Sequence, residues 1–224
     1  MRRLTKSAKP QALVNNEARW TSEFPSAQTN SAAATRYQHK DIRDALNAEC
    51  SGKCAYCEGV VDHVSFTHIE HILPKSKKPD LVVAWENLTL ACPRCNIHKG
   101  EYMDSSDPLL NPYEDDVESE LLFNLATPVP VSSAATTTVR VLQLDRPGLV
   151  FQRYRLIASI MELLRSAKID QVAASRQRTL GLILAHLSNH AEYISAVRAF
   201  LQHEFAAWPH ADDLALIRSS GLAP

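Results

Sequence analysis

Apolar positions recur at helical spacing over several stretches of the chain. Across residues 36–50, Ile42, Ala45, Leu46 and Cys50 predict one amphipathic helix. Across 147–167, Leu149, Tyr154, Ile157, Ile160, Met161 and Leu164 form an apolar stripe, and the helical pattern continues over 171–187 and 191–205. Gly181 and Ser188-Asn189 are its weak points, so the C-terminal third reads as a helical bundle or hairpin. Residues 139–144 alternate and predict a short strand. The stretch before it, 126–138, is small, uncharged and Pro-containing, and reads as a linker. Residues 1–35 are polar and irregular, with Trp20 and Phe24 as apolar anchors. No run approaches the roughly 18 apolar residues of a membrane span, and no apolar segment follows Arg2 and Arg3 as in a signal peptide. A cytoplasmic chain with no membrane contact is expected.

The 224 residues, 45% of them hydrophobic, allow one large domain or a small domain with extensions. A net charge of −1 argues against a wholly electrostatic nucleic-acid binder, though not against a local basic site. That total hides blocks. Residues 1–53 hold nine Lys/Arg against five acids, and residues 126–224 hold ten bases against seven acids. Residues 101–125 carry eight acids and no base, a pattern that fits a solvated face or an acidic surface for a basic partner.

Five cysteines in a chain without an export signal make metal ligation the first question, ahead of disulfides. Cys54-x-x-Cys57 and Cys92-x-x-Cys95 have identical spacing, and two such knuckles complete a tetrahedral Zn²⁺ site. Four buried, reduced thiols or a redox pair fit the double spacing less well. Four thiolates leave no open position, so this zinc is expected to be structural and to supply folding energy locally. Cys50 reads as a helix residue outside the site.

Between and after the knuckles run His68-Ile-Glu70-His71-Ile-Leu-Pro-Lys75-Ser, Glu86-Asn87-Leu and Cys95-Asn96-Ile-His98-Lys99-Gly100. From Gly52 to Gly100 this order resembles the HNH endonucleases, a ββα-metal (His-Me finger) core with added zinc knuckles. The fold class expected is therefore α+β: mostly α-helical, with a small zinc-stabilised nuclease core. The resemblance implies that His71 is the general base. It makes Glu70 and Asn96 ligands of a catalytic Mg²⁺ or Mn²⁺, and Asn87 a supporting residue that keeps the base oriented. Glu70 stands where the family usually has Asp. His98 stays open between a further ligand, a phosphate contact and a surface histidine. Lys75, Lys77, Lys78 and Lys99 are candidate phosphate contacts, with a solvated basic loop as the alternative. His68 shares the strand face of Glu70 and is expected to pack, as is Trp85.

Outside the core, the Lys6-to-Leu13 lead, the Ile42-Arg-x-x-Leu46 helix and Cys54-Ala-Tyr-Cys-Glu58 resemble a group of small HNH proteins. These are the nuclease components of bacterial anti-phage systems such as Septu. The resemblance implies cleavage of nucleic acid, DNA ahead of RNA, beside an ABC-type ATPase. The alternative is a non-catalytic zinc module that binds nucleic acid or protein. The layout expected is an N-terminal extension with a helix (1–49), the HNH core (50–105), an acidic segment and linker (106–138) and a helical region (139–224).

Overall fold

The computed structural model describes residues 1–26, 31–61 and 67–222. Among these, nine α-helices and two two-stranded antiparallel sheets form an α+β fold. The order is α1 (Gln11–Glu23), α2 (Lys40–Cys50), β1 (His68–His71), β2 (Leu88–Ala91), α3 (Pro93–Lys99), α4 (Val117–Glu120), β3 (Leu121–Asn124) and β4 (Thr127–Pro130). Then follow α5 (Ser133–Leu142), α6 (Pro147–Ile169), α7 (Ala173–Leu184), α8 (Ile194–Phe205) and α9 (Leu214–Ser219). No helix among the described residues is long and apolar enough to cross a membrane.

The expected helix over 36–50 is α2, preceded by a 3₁₀ turn at Arg36–Gln38, and it ends where Ser51 turns left-handed at φ +54°. The stripe over 147–167 is α6. Its buried Ile157, Ile160 and Leu164 pack with Leu180 and Ile183 of α7 and with Val197, Phe200 and Phe205 of α8, while Leu149 at its start joins Leu142 and Leu144 in the core around the knuckles. Arg176 and Asp213 form a buried ion pair at 2.5 Å inside this bundle. The N-terminal segment is not irregular. Helix α1 buries Leu13 and Trp20 against Ile42 and Leu46 of α2 and against Trp85, Leu88 and Leu90. Its apolar positions are sparse, which hid the helical period.

The expected strand over 139–144 and the linker over 126–138 are both replaced. Residues 127–130 pair with 121–124 as a hairpin, and 133–142 are α5. Ser132 caps α5 by accepting from Ala135 N at 3.1 Å. Thr136 and Thr138 return their hydroxyls to carbonyls four residues back, at 2.9 and 2.7 Å. Small residues serve close packing here: Ala135, Val139 and Leu142 are buried on one side of α5. A boundary at 139 would therefore cut a helix.

Nor is the C-terminal region separate from the first knuckle. Val60 N donates to Glu192 Oε1 at 2.7 Å, Tyr193 N to Glu58 O at 3.3 Å, and Ser195 N to Glu58 Oε2 at 3.0 Å. The buried Lys53 ammonium donates to Asn189 O at 2.5 Å and to Ala191 O at 2.7 Å.

Candidate active site

Strands β1 and β2 pair with His68 opposite Ala91, Glu70 opposite Thr89 and His71 opposite Leu88. The strand alternation puts His68 and Glu70 on one face of β1. Helix α3 starts directly after β2, with Pro93 in its first turn, and carries Asn96 and Lys99 back across β1. This is a ββα unit. Beside it lies a cleft of about 190 Å³ lined by Glu70, His71, Lys75 and Asn96 together with Tyr37 and Ser76.

His71 is only 6% exposed, and its Nε2 lies 2.9 Å from Val82 O. A carbonyl can only accept, so Nε2 carries the proton and Nδ1 keeps its lone pair. Burial pushes the imidazole pKa down to about 4, and the Lys75 and Lys99 charges add to that against the pull of the Val82 bond. The ring is neutral at pH 7.

Asn87 is buried where β2 begins. Its Oδ1 accepts from Leu73 N at 2.7 Å, and its Nδ2 donates to Leu73 O at 3.0 Å and Leu81 O at 3.1 Å. Three bonds from one carboxamide fix the loop that supplies both Lys75 and the Val82 carbonyl.

Glu70 and Lys99 are buried together, with Nζ 2.7 Å from Oε1; the same ammonium donates to His71 O at 2.8 Å. Burial raises the Glu70 carboxyl pKa, and Lys99 pulls part of that shift back. Lys99 thus lies beneath the site and not on its surface. Lys75 is on the cleft wall, while Lys77 and Lys78 are not among its lining residues. His98 points its Nδ1 toward Leu142 O of α5, at 3.4 Å, and is also absent from the lining. His68 does more than pack: its Nδ1 accepts from Asn96 Nδ2 at 2.8 Å. Tyr37 was not singled out in the sequence, because nothing local to it signals a contact with residues some 34 positions later.

The four knuckle sulfurs, of Cys54, Cys57, Cys92 and Cys95, all lie within 4.8 Å of one another, and those of Cys57 and Cys92 are 3.9 Å apart. Zn–S bonds of about 2.3 Å in a tetrahedron place sulfurs roughly 3.8 Å apart, so the cluster has the shape of a zinc site. The first knuckle closes through Glu58 N to Cys54 O at 3.0 Å, and in the second Cys92 Sγ accepts from Cys95 N at 3.4 Å. Both guanidinium NH groups of Arg146 come within 3.9 Å of Cys95 Sγ and offset thiolate charge. Cys50 is outside the cluster, its Sγ 3.9 Å from Tyr113 OH.

Residues 54–101 match the family model of the HNH endonucleases. Over 209 residues the chain is 32% identical to the Septu protein PtuB of Bacillus thuringiensis, covering 86% of this chain and 78% of that protein. It is 27% identical over 167 residues to the Septu protein PtuB of Bacillus mycoides (strain KBAB4), covering 60% and 56% of the two chains.

Proposed function

Since the chain belongs to the family of the Septu protein PtuB and contains an HNH endonuclease domain, we propose that it is a metal-dependent nuclease that hydrolyses phosphodiester bonds. The observation that carries this reading is the His71–Val82 pair: a neutral imidazole with its proton committed to a carbonyl, beside a carboxylate and a carboxamide in one cleft.

In this mechanism His71 takes the proton of the attacking water at Nδ1, and Val82 O stabilises the imidazolium that forms. Asn87 holds the base in register through the loop it pins. The donor set fits a hard divalent ion, because Glu70 offers a carboxylate and Asn96 an amide oxygen to the same cleft. Those two residues would hold Mg²⁺ or Mn²⁺, which when bound supplies stabilisation of charge at the scissile phosphate. Cys54, Cys57, Cys92 and Cys95 would hold a structural Zn²⁺ that fixes β2 and α3 against the first knuckle.

DNA is the proposed substrate ahead of RNA, and the setting is anti-phage defence beside an ABC-type ATPase in the cytoplasm. A near-neutral chain with one cleft lysine among the described residues binds nucleic acid weakly by itself, which favours a partner that shares the contact. The test is cleavage of DNA and RNA with Mg²⁺ or Mn²⁺, with and without the proposed ABC-type ATPase partner. His71→Ala should abolish cleavage and leave zinc content and melting temperature unchanged. Wild-type protein that cuts neither polymer under any of these conditions overturns the reading.

A further inference from the structure

Tyr37 lies outside the residues that match the HNH model, yet it forms a wall of the cleft. It sits in the 3₁₀ turn before α2, held in the N-terminal core with Trp20 and Ile42. Its ring meets the imidazole of His71 edge-on, with centroids 4.8 Å apart. Its hydroxyl oxygen accepts from Lys75 Nζ at 2.7 Å and from Gln38 Nε2 at 3.2 Å. Two accepted bonds use both lone pairs, and the hydroxyl proton finds no acceptor among the described residues. Lys75 also rests 4.3 Å from the centre of the same ring.

We propose that Tyr37 and Lys75 form a phosphate clamp, a binding subsite for a phosphodiester oxygen of the nucleic-acid strand, completed by the N-terminal segment. This rests on the nuclease reading above. A lysine on a flexible stem is a poor positioning device until something fixes it; Tyr37 does so by accepting one of its hydrogen bonds. The ammonium keeps donors to spare, and the hydroxyl proton beside it supplies a second. The Glu70 charge is met by Lys99, so among the described residues the cleft cation not spent on a carboxylate is Lys75. Glu101 stands exposed at the rim.

The experiment is fluorescence anisotropy with a fluorescein-labelled DNA duplex and a single-stranded RNA, in divalent-free buffer at low ionic strength. Tyr37→Phe, which keeps the ring, should weaken binding about fivefold to tenfold, and Lys75→Ala about tenfold. The double variant should lose little more than Lys75→Ala alone, because the two act as a unit. Lys75→Ala should also lower the slope of log affinity against log salt by about one, which Tyr37→Phe should not. Lys75→Arg should recover most of the affinity. The polymer whose binding responds identifies the source of the phosphate. Wild-type affinity in Tyr37→Phe, independent losses that multiply in the double variant, or no binding by the wild type overturns the clamp. Should these losses appear while the wild type cleaves neither polymer with Mg²⁺ or Mn²⁺, with or without the ATPase, the clamp stands and the nuclease reading falls.

Discussion

Lys99 Nζ lies 2.7 Å from Glu70 Oε1, with both side chains less than a tenth exposed. A buried ion pair of this kind is modest as a net stabiliser and costly to break from one side. Lys99→Met should therefore destabilise the protein by about 3–5 kcal/mol, because Glu70 is left buried without its partner. Adding Glu70→Gln should recover part of that loss. Denaturant melts of the two variants check this; a single variant as stable as wild type contradicts the pairing.

The bond from Asn96 Nδ2 to His68 Nδ1 predicts an effect of His68 on metal affinity. By holding the amide nitrogen, His68 directs the Asn96 oxygen away from itself. His68→Ala should weaken Mn²⁺ binding about tenfold in calorimetry, with little change in melting temperature. Equal Mn²⁺ affinity in the two proteins would return His68 to simple packing.

Metal analysis should find one zinc per chain, falling to none in Cys92→Ser, while Cys50→Ala keeps its zinc. A strong chelator should lower the melting temperature and expose the knuckle amides to hydrogen exchange first. An undiminished transition in zinc-free protein would refute a folding role for the cluster.

The Arg176–Asp213 pair sets the acid sensitivity of the C-terminal helices. Burial alone would raise the Asp213 pKa, but hydrogen bonds from Arg176 and Trp208 bring it below the ordinary value. A carboxyl depressed in the folded state stabilises above its unfolded pKa, near 4, and loses that contribution as pH falls through its folded pKa. Asp213→Asn should be less stable at pH 7 and should lose the part of the acid transition below about pH 4. Parallel slopes for the two proteins in that window would contradict the assignment.

The zinc knuckles were legible because each is a local pattern of four residues, and the ββα order followed from short motifs in sequence. The long helices α6 and α8 were legible from their stripes. What stayed hidden depended on distant partners. Lys99 and Lys75 look alike in the sequence, and only the fold buries one under Glu70 and sets the other on Tyr37. Helix α5 was misread because its small residues, chosen for close packing and back-bonded threonines, share their composition with linkers. The acidic segment likewise takes its place from distant contacts such as Thr137 Oγ1 of α5 donating to Asp107 Oδ1 at 2.5 Å.

The bonds that run from residues 189–195 into the first knuckle bear on how small a working fragment of this protein can be. A chain shortened to residue 138 would retain every residue of the HNH motif. It would also strand the Lys53 ammonium without the carbonyls of Asn189 and Ala191, and leave Glu58 and Val60 without Ser195 and Glu192. The motif is thus shorter than the unit that folds it, and a minimal nuclease cut to the motif's borders would lose the half of its zinc clamp that the distant helices sew in place.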